Sequence, residues 1–264
     1  MKTFLKYLKI YGSFIRTGFV ADLEFRFNIS LRILTDIIWY VMQIMAFEIL
    51  YQHTKLIGSW NLQQTRVFLG ILFMADALYM ILLSDNLEKL IDGVRKGDLD
   101  LILTKPINSQ FFVSFQKVNT SMIFGFWISV SYFAWAVTQF DGLNPFKVFW
   151  LLLLIPVGLI SFYSFRFMMA SFSVIFTKAD YLQFLWHQVY RLGMRPDQIY
   201  APWLRLTLIS ILPMGLIASV PARFVVEPTD TTLLLWAIAW SIIMLYFSNK
   251  FWKFALKFYA SASS

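Results

Sequence analysis

The chain has 264 residues, of which 59% are hydrophobic, 19% aromatic and only 14% charged. A soluble domain carries about 45–50% apolar and about 25% charged residues, so this composition excludes an ordinary soluble fold and asks first for membrane spans. The absence of cysteine excludes disulfides and thiol chemistry, and a net charge of +8 on so apolar a chain reads as basic loops beside anionic lipid, with no nucleic-acid surface.

Residues 1–30 begin MKTFLKYLKIYGSFIRTGF, where charges interleave with apolar residues. A signal peptide would instead separate them from a continuous apolar core. At about 100° per residue, Lys2, Lys6, Lys9, Ser13 and Arg16 gather on one side of a helix. Phe4, Leu8, Tyr11, Phe14 and Ile15 take the other. The pattern predicts an interfacial amphipathic helix lying in membrane lipid headgroups.

Six stretches then approach the roughly 20 apolar residues of a bilayer crossing: residues 33–51, 67–83, 121–140, 148–176, 204–220 and 233–248. The third is entered by a helix expected to start near Asn108. The fourth is longer than one membrane thickness and holds Pro156, which removes a backbone bond and kinks a helix. With six crossings both termini share one side. Eighteen Lys and Arg residues then fall on that side and four on the other, with Arg166 inside the fourth span. This asymmetry predicts both termini in the cytoplasm. The fold expected is all-α: a single integral membrane domain over residues 1–264, six transmembrane helices in a bundle, with the interfacial helix and a cytoplasmic coupling loop at 84–110. The outer loops at 52–66, 141–147 and 221–232 are short.

Two charges lie inside spans. Asp76 sits in VFLGILFMADALYMILL, where a central Asp costs about 2.5–3.5 kcal/mol on an insertion scale and ten Leu, Ile, Phe or Val residues offset it. It faces protein or water, either as a hydrogen-bonded packing residue or as part of a pathway, pairing with Arg166. Arg166 either snorkels to the inner surface or is buried, depending on where its span starts. Asp36 and Glu48 lie near the ends of the first span, within reach of headgroups, and carry less weight.

Residues 84–110 interrupt the apolar pattern with eight charges between Leu87 and Phe111. Ser84 or Asp85 is expected to cap a helix, with Glu88 in its first turn. Leu87, Leu90, Ile91 and Val94 then recur at helical spacing and make one apolar face. Arg95 and Lys96 suit the last turn, Gly97 suits a left-handed cap, and Lys105–Pro106 ends the segment. Such a helix is either a docking element or a connector on the membrane surface.

No catalytic constellation emerges. His53 and His187 fall on opposite sides, which leaves no metal site, and neither a phosphate loop nor a nucleophile elbow is present. If ATP is used, another polypeptide binds it, together with magnesium; no cofactor belongs to this chain.

The segment IDGVRKGDLDLILTKPINSQF resembles the cytoplasmic loop of type-2 permeases of bacterial ATP-binding-cassette exporters. It is similar to a recurring G-x-L-D-x-x-L-x-K-P pattern, here Gly97, Leu99, Asp100, Leu103, Lys105 and Pro106. LISILPMGLIASVPARF, residues 208–224, resembles the fifth span of that family. The resemblance implies a permease subunit in the bacterial inner membrane that pairs with a second permease subunit and with two ATPase subunits. The loop between spans two and three would be the coupling helix, with Leu87, Leu90, Ile91 and Val94 among its contacts. It also implies short re-entrant helices after the fifth span, at about residues 213–231, where an ordinary loop is the alternative. The expected cargo is amphiphilic. A polytopic membrane enzyme acting on lipid and a non-transporting scaffold are the rival readings, and both require no ATPase partner.

Overall fold

The computed structural model describes residues 2–24, 26–140, 145–176, 180–228 and 230–259. Residues 141–144 of the expected loop at 141–147, Lys178 and the tail from residue 260 lie outside the described residues. In chain order the helices are α1 (Lys2–Glu24), α2 (Arg26–His53), α3 (Leu62–Tyr79), α4 (Asp85–Lys96), α5 (Asp98–Leu103), α6 (Ser109–Phe115), α7 (Ile123–Thr138), α8 (Pro145–Ile175), α9 (Asp180–Gly193), α10 (Pro202–Ser210), α11 (Ser219–Val226) and α12 (Thr231–Ala255). No strand occurs among the described residues.

Local chemistry sets several boundaries. Asn61 and Gln64 form a reciprocal capping box that starts α3. Asn108 caps α6, its side chain accepting from the Phe111 amide at 3.0 Å, as the sequence predicts. Asp230 accepts from the amides of Thr232 and Leu233 and starts α12.

Among the described residues five helical runs are long and apolar enough to cross a membrane: Ile29–His53, Leu62–Lys96, Thr120–Thr138, Phe146–Ile175 and Thr231–Phe258. They match the first, second, third, fourth and sixth predicted spans. Residues 204–220 do not form the predicted single helix. They break into α10, a 3-10 turn at Met214–Leu216 and the start of α11. Pro213, which has no amide hydrogen, ends the first piece.

The bundle has two ends. At one, which we call the connector end, lie α4, α5 and α6. The opposite hairpin end gathers the α2–α3 turn, the start of α8 and the end of α11. There Trp60 Nε1 donates to Glu227 at 2.7 Å, and Lys147 Nζ donates to the Val225 carbonyl at 2.6 Å. α9 follows α8 at the connector end and stops at Gly193 against Met214 of the hairpin tip. The chain beyond it reaches the hairpin end by residue 198, where Gln198 bonds Glu227 and packs on Gly58. α10 and α11 form a hairpin that enters from the hairpin end and turns back. Its tip rests on α8 at Gly158, where a Cβ would collide with the Leu216 carbonyl oxygen and lie 3.2 Å from Ile217 Cα.

The core runs along α3 and α8. In α3, Val67 to Phe73 is almost wholly buried. Small residues let α8 and α12 approach closely: the Ser161 and Ser241 hydroxyls bond at 2.6 Å, and Ser241 also donates to the Val157 carbonyl. At the connector end Gln110 bonds Tyr163, Ser248 and Asn249, which ties α6 to α8 and α12.

Candidate functional site

The connector departs from its predicted form in two ways. First, Ser84 does not cap a new helix. It is helical and makes no side-chain cap bond. A π-helical turn, Met80–Ser84, joins α3 directly to α4, giving one run of 35 residues, about 52 Å at 1.5 Å per residue. Such turns widen a helix by one residue and mark functional places. This one is clamped from outside: the Ile81 carbonyl accepts from the Asn119 amide, Asn86 bonds Lys117 through its amide and carbonyl, and Lys117 Nζ reaches Asp85 at 2.7 Å.

Second, the apolar face of α4 is not presented outward. Leu87, Leu90, Ile91 and Val94 are 0–8% exposed and belong to the core of this chain. Their helical spacing reports packing on α6 and α8. The outward surface belongs to α5. Gly97 takes the left-handed conformation, φ 80°, and caps α4 through the carbonyls of Gly93 and Val94. This turns the chain so that Leu99 is buried while Leu101 is 70% and Leu103 39% exposed. Asp100 lies beside Tyr259; burial and that carboxylate push the phenol above its ordinary range. Lys105 Nζ sits 4.0 Å from the Phe112 ring centre, and the Pro106 carbonyl accepts from Lys6.

The predicted interfacial helix divides its apolar side. Tyr7, Tyr11 and Phe14 of α1 meet Phe111, Phe115 and Phe112 of α6 edge to face, whereas Leu8, Ile15 and Phe19 stay exposed.

The intramembrane charges do not pair with one another. Asp76 is buried and accepts from the Tyr190 hydroxyl of α9. Arg166 is fully buried, which removes the snorkelling alternative, and lies over the Trp186 ring at 4.8 Å. Among the described residues its guanidinium nitrogens meet no hydrogen-bond partner within bonding geometry, and the Tyr79 phenol is its nearby polar neighbour. Tyr79, Phe162, Trp186 and Tyr190 form an aromatic block between the two charges, with ring centres 4.9 to 6.3 Å apart.

Asp76 also forms the floor of a cleft of about 560 Å³. α2 supplies one wall with Thr35, Asp36, Trp39, Tyr40 and Gln43. α9 and the residues after it supply the other with His187, Tyr190, Arg191, Met194 and Arg195. Both signs of charge therefore converge between α2 and α9, beside apolar helices where ionisable groups usually mark function. Sequence reasoning gave Asp36 little weight and read no span over residues 180–193. Outside this cleft Glu48 is accounted for by Arg66, at 2.6 Å. At the hairpin end Asp197 pairs with Arg223 and, at 3.5 Å, with Arg205.

Comparison with known proteins gives the family of the chain. The model of the ABC-2 family transporter proteins matches residues 37–263. The chain belongs to that family of transporter membrane proteins. No curated protein and no solved structure matches it.

Proposed function

We propose that this protein is the membrane subunit of an ATP-binding-cassette exporter in a bacterial cytoplasmic membrane. It works with a second permease subunit, identical or related, and with two ATPase subunits that bind ATP and magnesium. The cargo is amphiphilic, with its polar end in the cleft between α2 and α9. One observation carries this reading: the 35-residue run of α3 and α4 has Asp76 of the cleft in its middle and the exposed α5 turn at its end. A push on α5 is thereby delivered to the cleft through about 30 Å of helix.

Six crossings follow from taking α9 as the fifth, with the α10–α11 hairpin re-entering from outside. Backbone broken in this way is tolerated in a membrane when protein surrounds it, and α11 is buried along its whole length. Fifteen Lys and Arg residues then lie on the side of the termini and five on the other, with Arg166, Arg191 and Arg195 between. That bias supports cytoplasmic termini. α5, with Leu101 and Leu103, takes the coupling role; Leu87, Leu90, Ile91 and Val94 hold it in place from within. Gly97, Leu99, Asp100, Lys105 and Pro106 shape its turn.

The test is purification of the tagged chain from native membranes. A stoichiometric ATP-binding subunit is expected with it, and no ATP hydrolysis once that subunit is stripped away. Turnover by the isolated chain, or a chain that comes alone from gentle extraction, would end this reading.

A further inference from the structure

The cleft has an asymmetry of charge that the packing of the chain leaves uncompensated. Arg191 lies in the last turn of α9 and Arg195 just beyond its end, and both line the same wall of the cleft. Both are exposed to the cleft, and neither makes a hydrogen bond or ion pair among the described residues. Asp76 pairs with neither of them; its partner is the Tyr190 hydroxyl. Two adjacent guanidinium forks are a fitting partner for a phosphate, whose three oxygens can accept from both at once. A carboxylate offers only two.

The facing wall has the opposite preference. Asp36 is half-buried, with Arg32 one turn earlier on α2 as a charged neighbour and Asp76 deeper in the cleft. Beside it the Trp39 and Tyr40 rings lie 5.4 Å apart, edge to face. A carboxylate next to two aromatic rings suits an organic ammonium group. The flanks of both helices stay apolar and exposed, Val41 at 46% and Phe184 at 64%, as a hydrocarbon tail beside the cleft requires.

We propose that the cleft binds a zwitterionic amphiphile, with its phosphate on Arg191 and Arg195, its amine on Asp36 and the Trp39–Tyr40 rings, and its tail in the membrane. This rests on the cleft being the cargo site of the permease and names the chemistry of that cargo.

The test uses the full-length chain in dodecyl maltoside and radiolabelled lysophosphatidylethanolamine as the probe. Lysophosphatidic acid, which lacks the amine, and dodecylammonium, which lacks the phosphate, are the comparison ligands. The zwitterion is expected to bind at least tenfold more tightly than either. Arg191→Gln should weaken it about tenfold and leave dodecylammonium unchanged. Asp36→Asn should weaken it similarly and leave lysophosphatidic acid unchanged. Arg195→Gln repeats the first comparison if Arg191→Gln does not fold. Equal binding of all three amphiphiles to the wild type would overturn the proposal. So would unchanged zwitterion binding in the folded arginine variants, which would leave these arginines to a second copy of the chain. Unselective binding by a chain that still copurifies with its ATPase sinks this inference alone; selective binding without any ATPase sinks the permease reading alone.

Discussion

Leu101→Ser is the sharpest perturbation of the proposed coupling surface. Leu101 keeps 70% of its surface outside the chain, while Leu99 two residues earlier keeps 1%. Burying a whole leucine side chain contributes about 1.5–3 kcal/mol, so the part still open on Leu101 contributes about 1–2 kcal/mol when a partner covers it. At about 1.4 kcal/mol per decade, the serine variant should hold the ATPase about 5- to 30-fold more weakly. The assay is capture of the tagged chain and titration of the ATPase subunit onto it. Leu90→Ala is the contrast, since Leu90 is only 4% exposed. That variant opens a cavity costing about 2–5 kcal/mol of stability, yet its folded fraction should bind the ATPase as the wild type does. Unchanged binding by Leu101→Ser, or a larger loss in folded Leu90→Ala, would refute the assignment of coupling to α5.

Three further outcomes are expected. Single cysteines at Ser59 and Ile199 of this cysteine-free chain should react with an impermeant maleimide in intact cells, and one at Lys96 only after permeabilisation; protection of Ile199→Cys alone would return the fifth crossing to residues 204–220. Gly158→Ala should cost about 1–3 kcal/mol, because its Cβ meets the backbone of the hairpin tip; Gly12→Ala, with nothing within 4 Å, is the control, and equal thermal midpoints would contradict the docking described. Arg223→Met breaks the buried pair with Asp197 and should cost about 3–5 kcal/mol, and adding Asp197→Leu should restore most of it in thermal unfolding; a double variant no more stable than the single one would show that the pair does not hold the hairpin.

What was legible in the sequence follows from the physics of each segment. The five long helices declare themselves because uninterrupted apolar runs have few other outcomes. Asn108 and Gly97 were readable because capping is local chemistry. α9 was hidden by its polar stripe of Gln183, His187 and Arg191, which lowers the mean hydropathy of a helix that also carries the buried Trp186. Residues 204–220 misled in the opposite direction: they are apolar enough for a span, and only Pro213 and Gly215 signal the break. Leu87, Leu90, Ile91 and Val94 were correctly seen as one face of a helix. Amphipathic spacing says that a face is covered, but not by what, and here it is covered by α6 and α8. The separation of Asp76 from Arg166 was beyond reach for a similar reason, since the aromatic block between them is assembled from three helices.

The claim at the centre is that ATP binding by the ATPase docked on the connector moves the cleft through α4 and α3. Spin labels on Gln43→Cys of α2 and His187→Cys of α9 report the width of the cleft, and pulsed electron resonance on the complex with its ATPase measures that distance directly. A shift in the distance distribution on adding non-hydrolysable ATP is expected, and it should be lost when Leu101→Ser releases the ATPase. An identical distribution with and without nucleotide, in a complex that demonstrably binds it, would contradict the account.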